Sequence, residues 1–363
     1  MENQNLNEKI QIDGDLCHKL LSEKIKGKLR YNDGVNYPEW KKQVKDKLSE
    51  LLGMDEIAVN ACELKLNIEQ DEQKDGYRQI RFVFESEVGA LVPCYLLIPN
   101  TGKKKYPVAI TLQGHSSGFH NSIGVAKSES DESYIKRGDF GRQAAQNGYA
   151  ALCIEQRGMG ERATTKHKFE PMMCTYPAMT ALLLGRTILG ERIWDVMHAI
   201  DLLPEFDMLD TDKIVITGNS GGGTMSFYAA CMDERIKISA PSCAFCSYVE
   251  SLIYKFHCPC NFIPGAFKWF EMQDLSCLIA PRNLIVIAGE FDTIFKIDGV
   301  YEGMKTVEKV FAKEGVPDNC KLVVTPKAHW WCQDLVWPAI NEVANKLGWF
   351  NDSLLNLVVR FWL

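Results

Sequence analysis

The sequence predicts an α/β protein built on a mostly parallel, doubly wound sheet. Short apolar runs ending near a glycine or proline recur along the chain, and segments of helical period separate most of them. The first two runs instead follow each other closely enough to pair antiparallel. Strands spaced by helical crossovers form parallel sheets covered on both faces.

Residues 1 to about 60 are polar with a helical pattern. Trp40, Val44, Leu48, Leu51 and Leu52 recur at helical spacing, and Gly53 is a stop signal. We read 1–75 as a helical N-terminal extension and 76–363 as the main domain. From Tyr77 the period changes. RQIRFVFES alternates and ALVPCYLLIP follows, with Gly89 near the turn, which reads as two antiparallel strands. Lys103, Lys104 and Lys105 read as a solvated loop. The parallel strands are then PVAITLQG (107–114), YAALCIEQRG (149–158), KIVITG (213–218), RIKISAPS (235–242), NLIVIAG (283–289) and KLVVTP (321–326). Helical patterns cover 140–148, a long amphipathic stretch from about 178 to 204, a segment from Gly221, and 299–314 and 335–347. Residues about 247–280 break this rhythm with prolines, aromatics and cysteines. They read as an insertion over the strand ends, with Phe256, Phe262, Phe267 and Trp269 expected to overhang the site.

With 46% hydrophobic and 24% charged residues, the chain can bury a large core without a disulfide or metal staple. A net charge of -6 favours neither nucleic acid nor an acidic membrane surface. The opening MENQNLNEKIQIDGD lacks the basic and apolar regions of a signal peptide, and no apolar run approaches a membrane span. With 13 scattered cysteines, the expectation is reduced thiols in a cytoplasm. Cys258-Pro259-Cys260 and Cys243/Cys246 have metal-like spacing, but no second ligand pair is evident, so no metal is expected. The tail 354–363, LLNLVVRFWL, has eight apolar residues out of ten. It would pack on its own domain or dock on a second subunit in a homo-oligomer.

The strongest chemical signal is Gly218-Asn219-Ser220-Gly221-Gly222, a G-x-S-x-G between a buried strand and a helix. Glycines two residues either side remove side chains that a sharp elbow would make clash. The serine is then exposed at a helix N-terminus, whose dipole favours developing negative charge. A plain glycine-rich turn or phosphate loop is the competing reading; placement after KIVIT and before TMSFYAA favours the elbow.

A serine hydroxyl needs a base, and on this kind of sheet the order is serine, acid, histidine. Only His257 and His329 follow Ser220. His329 comes directly after the last strand, where the base belongs; His257 lies in the insertion. The acid should follow the preceding strand. Asp292 sits in its loop, Glu290 is too close to the strand end, and Asp298 opens the next helix as a cap. Oxyanion donors are expected from the backbone N–H of Gly221 and of His115 in GHSSG, with Ser116 the nearest alternative. Arg157 could hold a substrate carboxylate but reads better as a brace between loops. Trp330 and Trp331 could stack on a substrate or simply pack.

The segments LQGHSSG, EQRGMGER, TGNSGGG, HCPCNFIPG, LIAPRNLIVIAGEFDTIF and KAHWW occur in that order. Together they resemble the acetyl xylan esterase, cephalosporin deacetylase and dienelactone hydrolase-like branch of α/β hydrolases, from about residue 78 onward. The resemblance implies the α/β-hydrolase fold, nucleophile Ser220, acid Asp292, base His329, and oxyanion donors at the backbones of His115 and Gly221. Esterases of the branch often have glutamine where this chain has Gly221, and Gly-His-Glu where it has Ala328-His329-Trp330. The expected function is a serine esterase acting on small esters, acetylated carbohydrates among them, with no cofactor. A prolyl oligopeptidase-like peptidase is the enzymatic alternative, although such enzymes usually carry a propeller that this chain is too short to include. A hydrolase-like scaffold that binds without turnover is the other.

Overall fold

The computed structural model describes residues 12–164 and 174–350; the apolar tail at 354–363 lies outside the described residues. Three helices come first: α1 (Leu16–Lys24), α2 (Tyr37–Leu52) and α3 (Met54–Ala58). α2 turns Tyr37, Trp40, Val44, Leu48 and Leu52 inward, the face its spacing predicts. It stops at Gly53, whose φ of 75° suits glycine. Complete burial of leucines such as Leu48 and Leu52 is worth about 1.5–3 kcal/mol each.

Nine strands form one sheet: β1 (Asn67–Gln73), β2 (Tyr77–Glu85), β3 (Leu91–Pro99), β4 (Tyr106–Leu112), β5 (Ala150–Ile154), β6 (Leu209–Asn219), β7 (Ile236–Ser242), β8 (Asn283–Gly289) and β9 (Cys320–Thr325). Their order is β1-β2-β3-β5-β4-β6-β7-β8-β9. β1, β2, β3 and β5 pair antiparallel, and every pairing from β5 to β9 is parallel. β1 has no counterpart in the sequence reading. Every one of its residues, NIEQDEQ, is exposed, so this edge strand carries no apolar alternation to reveal it.

The long helix expected from about 178 to 204 is two helices, α6 (Thr175–Leu183) and α7 (Ile188–Asp201). Gly185 breaks it with φ 77°. Thr187 then caps α7, its Oγ1 accepting from Gly190 N–H at 2.9 Å. The Thr187 N–H and hydroxyl both donate to Leu52 O, at 3.1 and 2.9 Å, so the break docks on the end of α2. The other helices are α4 (Glu129–Gly138), α5 (Phe140–Gln146), α8 (Gly221–Met232), α9 (Ile297–Lys313) and α10 (Gln333–Lys346).

The sheet separates two apolar layers. Val108, Ile110, Ile214 and Ile216 face α2, α7, α8 and α9, while Ala109 and Val215 face α5 and α10. This alternation is what a strand buried on both faces requires. The carboxyl ends of the central parallel strands therefore open at one edge, and β6 delivers Ser220 there.

Candidate active site

Ser220 is one of two non-glycine residues with positive φ among the described residues, at φ 57° and ψ -123°. Such a conformation costs of order 1–3 kcal/mol and persists only where its surroundings enforce it. Ser220 N–H donates to Ser242 O at 2.9 Å, and Ser220 O accepts from Thr224 N–H at 2.8 Å. The flanking glycines answer to a single neighbour. A Cβ on Gly218 would lie 2.2 Å from Leu112 O, and one on Gly222 would lie 1.9 Å from the same oxygen. The end of β4 thus fills the space both glycines leave.

Asp292 follows β8, and its side chain is fully buried. Its Oδ1 accepts from the N–H groups of Ile294 and Phe295, at 2.8 and 3.1 Å. Its Oδ2 lies 2.8 Å from Nδ1 of His329, which follows β9. The phenyl ring of Phe295 stacks on His329 at 5.9 Å. Cys243 also approaches this pair, but burial and then Asp292 push its thiol up to about 12, so it stays protonated.

Ser220 and His329 line one cavity of about 330 Å³, together with Gly114, His115 and, on α4, Tyr134 and Arg137. Gly114 lets its loop approach: a Cβ there would lie 2.8 Å from Asn219 O and 3.2 Å from Ser220 Cβ. Asp131 ties the same loop to α4 by accepting from Ser117 Oγ and pairing with His120 Nε2. His115 and Gly221, the expected oxyanion donors, lie side by side: a Cβ on Gly221 would meet the His115 ring at 3.3 Å.

His257 sits behind Phe295, with ring centroids 5.0 Å apart. Burial, and then the neighbouring His329, lower its pKa to about 4, which leaves it neutral. Arg157 is a brace. It binds Asp195 through Nε and Nη2, at 2.9 and 2.8 Å, and Glu87 at 2.6 Å. Asp298 lies in the first turn of α9, one turn from the site loop, with Lys296 at the cap position.

The aromatic overhang expected from 247–280 is not found at the cavity. Phe267 and Trp269 face the N-terminal segment instead, with Arg30 over Phe267 and Lys28 and Lys47 over Trp269. Phe256 is 85% exposed, and none of the four lines the cavity. The cavity walls include Phe140, Trp330 and Trp331. The two tryptophans differ. Trp331 is buried edge-on to Phe140 and donates to Gln143 Oε1 at 2.9 Å, so it packs. Trp330 is half-exposed, and the Arg137 guanidinium lies over its ring. The sequence reading missed Arg137 because a cation on a polar helix carries no pattern of its own.

The sheet, its crossovers and the serine elbow define an α/β hydrolase. The chain belongs to the Abhydrolase family, whose model matches residues 13–245. The Bacillus subtilis protein named "Putative hydrolase YtaP" is 26% identical over 242 residues, which is 65% of this chain and 77% of that protein. Among solved structures, one described as a putative acetyl xylan esterase from Bacteroides fragilis matches with a TM-score of 0.75 at 16% identity, covering 93% of this chain and 97% of that one. A glucuronoyl esterase from Solibacter usitatus matches with a TM-score of 0.61 at 15% identity, covering 88% of this chain and 97% of the other. At such identities the likeness is one of fold. No helix among the described residues is long and apolar enough to cross a membrane.

Proposed function

We propose that this hydrolase is a serine esterase acting on small carboxylic esters, with Ser220 as nucleophile, His329 as base and Asp292 as the acid that orients it. The observation that carries the reading is the 2.8 Å contact of His329 Nδ1 with Asp292, made beside the same cavity that Ser220 lines. Asp292 accepts a hydrogen bond from Nδ1–H and stays ionised, which leaves the Nε2 lone pair to take the proton of the Ser220 hydroxyl. The Ser220 oxygen attacks the ester carbonyl. The backbone N–H groups of Gly221 and His115 receive the negative charge, aided by the N-terminus of α8. His329 returns the proton to the leaving alcohol. Water then takes the same route to release the acyl group.

A cavity of about 330 Å³ is at the small end for ligand sites and favours a short acyl group. The similar folds named as acetyl xylan esterase and glucuronoyl esterase support ester cleavage over peptide cleavage. The test is labelling by a fluorophosphonate probe alongside turnover of p-nitrophenyl acetate. The wild type should label and turn over, and Ser220→Ala should do neither. A wild-type chain inert to both would instead be a scaffold that binds without turnover.

A further inference from the structure

Four side chains from three separate segments meet beside the cavity. His115 comes from the loop after β4, Cys174 from just before α6, and Cys258 and Cys260 from the 247–280 insertion. One ligand atom from each lies within 4.8 Å of all the others. His115 Nε2 is 3.5 Å from Cys174 Sγ and 3.3 Å from Cys260 Sγ. Tetrahedral zinc, with Zn–S of about 2.3 Å and Zn–N of about 2.0–2.1 Å, requires ligand-to-ligand edges of roughly 3.5–3.8 Å. The three cysteines are buried and unbridged.

Charge supplies a second, independent observation. Arg192 is buried, and no carboxylate pairs with it among the described residues. Its Nη2 donates to Cys174 Sγ at 3.1 Å, and its Nε and Nη2 donate to Arg157 O. A lone buried guanidinium is costly unless negative charge stands beside it. Three thiolates and a neutral imidazole around a divalent ion carry one net negative charge, which Arg192 balances.

We propose that His115, Cys174, Cys258 and Cys260 form a structural zinc site that clamps the loop after β4, the start of α6 and the insertion together beside Ser220. Four protein ligands close the coordination sphere, so the ion holds the fold and takes no part in bond cleavage. Binding displaces the thiol protons to solvent and makes affinity fall at low pH. Zinc binding is independent of the esterase reading. Its consequence for catalysis, that the ion fixes the His115 backbone as an oxyanion donor, rests on it.

The full chain, purified without a polyhistidine tag, should carry about one zinc ion by elemental analysis. Cys258→Ser/Cys260→Ser should carry well under a tenth of that, whereas Cys320→Ser, remote from the cluster, should keep it. Should the double variant fail to fold, the wild type decides the matter. Reconstituted with cobalt(II), it should show thiolate-to-metal charge transfer and the intense visible bands of tetrahedral cobalt. A wild type that purifies without zinc and gives no thiolate–cobalt bands overturns the proposal, as does a folded double variant that retains the metal. Loss of esterase activity in Ser220→Ala with zinc retained would separate the clamp from the chemistry.

Discussion

Asp292 holds His329 from a fixed position: one carboxylate oxygen meets Nδ1 at 2.8 Å, while the other is tied by the N–H groups of Ile294 and Phe295. In the proposed triad, Asp292 would therefore set both the tautomer and the tilt of the imidazole. Asp292→Asn puts an amide in place of the acceptor and should favour the wrong tautomer. We expect kcat for p-nitrophenyl acetate to fall on the order of 10⁴-fold. Asp298→Asn, in the first turn of α9, should keep most activity. His329→Ala should be inactive and His257→Ala active. An inactive His257→Ala that keeps its fold and an active His329→Ala would move the base into the insertion.

The elbow separates chemistry from folding. Ser220→Ala removes the hydroxyl without adding an atom. Turnover should fall on the order of 10⁴-fold or more with an unchanged melting temperature. Gly222→Ala forces a Cβ to 1.9 Å from Leu112 O, a backbone atom that cannot step aside. It should cost about 3 kcal/mol, the upper end for overpacking. Denaturant unfolding of both variants checks this. A Gly222→Ala as stable as the wild type would show that the end of β4 gives way.

The brace around Asp195 makes a prediction about pH. Burial alone would raise this carboxyl, but Arg162 and Arg157 reverse that and hold it well below the usual carboxylate range. A carboxyl depressed in the folded state stabilises the fold above its unfolded pKa of about 3.9 and loses that contribution as pH falls below it. Asp195→Asn leaves two buried guanidinium groups without this partner. We expect a loss of about 3–5 kcal/mol at neutral pH and a flatter decline of stability with acid. Unfolding free energies of both proteins from pH 7 to pH 3 measure it; parallel curves would place the acid sensitivity elsewhere.

The fold was legible wherever burial imposes a period. β4, β6 and β8 are apolar runs because both faces of the sheet are covered, and the elbow is legible because two glycines must clear one carbonyl. β1 escaped notice because an exposed edge needs no apolar residue. The break between α6 and α7 depends on Gly185 and Thr187 meeting Leu52, a contact far away in sequence. The cluster of His115, Cys174, Cys258 and Cys260 was hidden for the same reason, since only the Cys258/Cys260 pair is local. The aromatics of the insertion were read as pocket walls because sequence gives their bulk but not their direction.

The walls that do line the cavity predict its selectivity. Phe140, Trp330 and Trp331 line a cavity of about 330 Å³, at the small end for ligand sites. Acetate esters should therefore be cleaved faster than esters with acyl chains of a dozen carbons. Arg137 should add a polar preference. Its guanidinium rests on Trp330, and its Nη1 is buried without a hydrogen-bond partner among the described residues. Arg137 lines the cavity, and a guanidinium that shifts on Trp330 would offer a hydrogen bond to a substrate oxygen. A hydrogen bond from a charged donor is worth about 1.5 kcal/mol or more, which is roughly tenfold in affinity. Arg137→Ala should raise KM about tenfold for esters carrying a carboxylate or several hydroxyls and leave kcat nearly unchanged. For p-nitrophenyl acetate, which offers no such group, KM should stay the same. An equal rise for both substrates would mean that Arg137 only packs against Trp330, and faster cleavage of the long-chain ester would show that the cavity opens beyond the walls that Phe140 and Trp331 set.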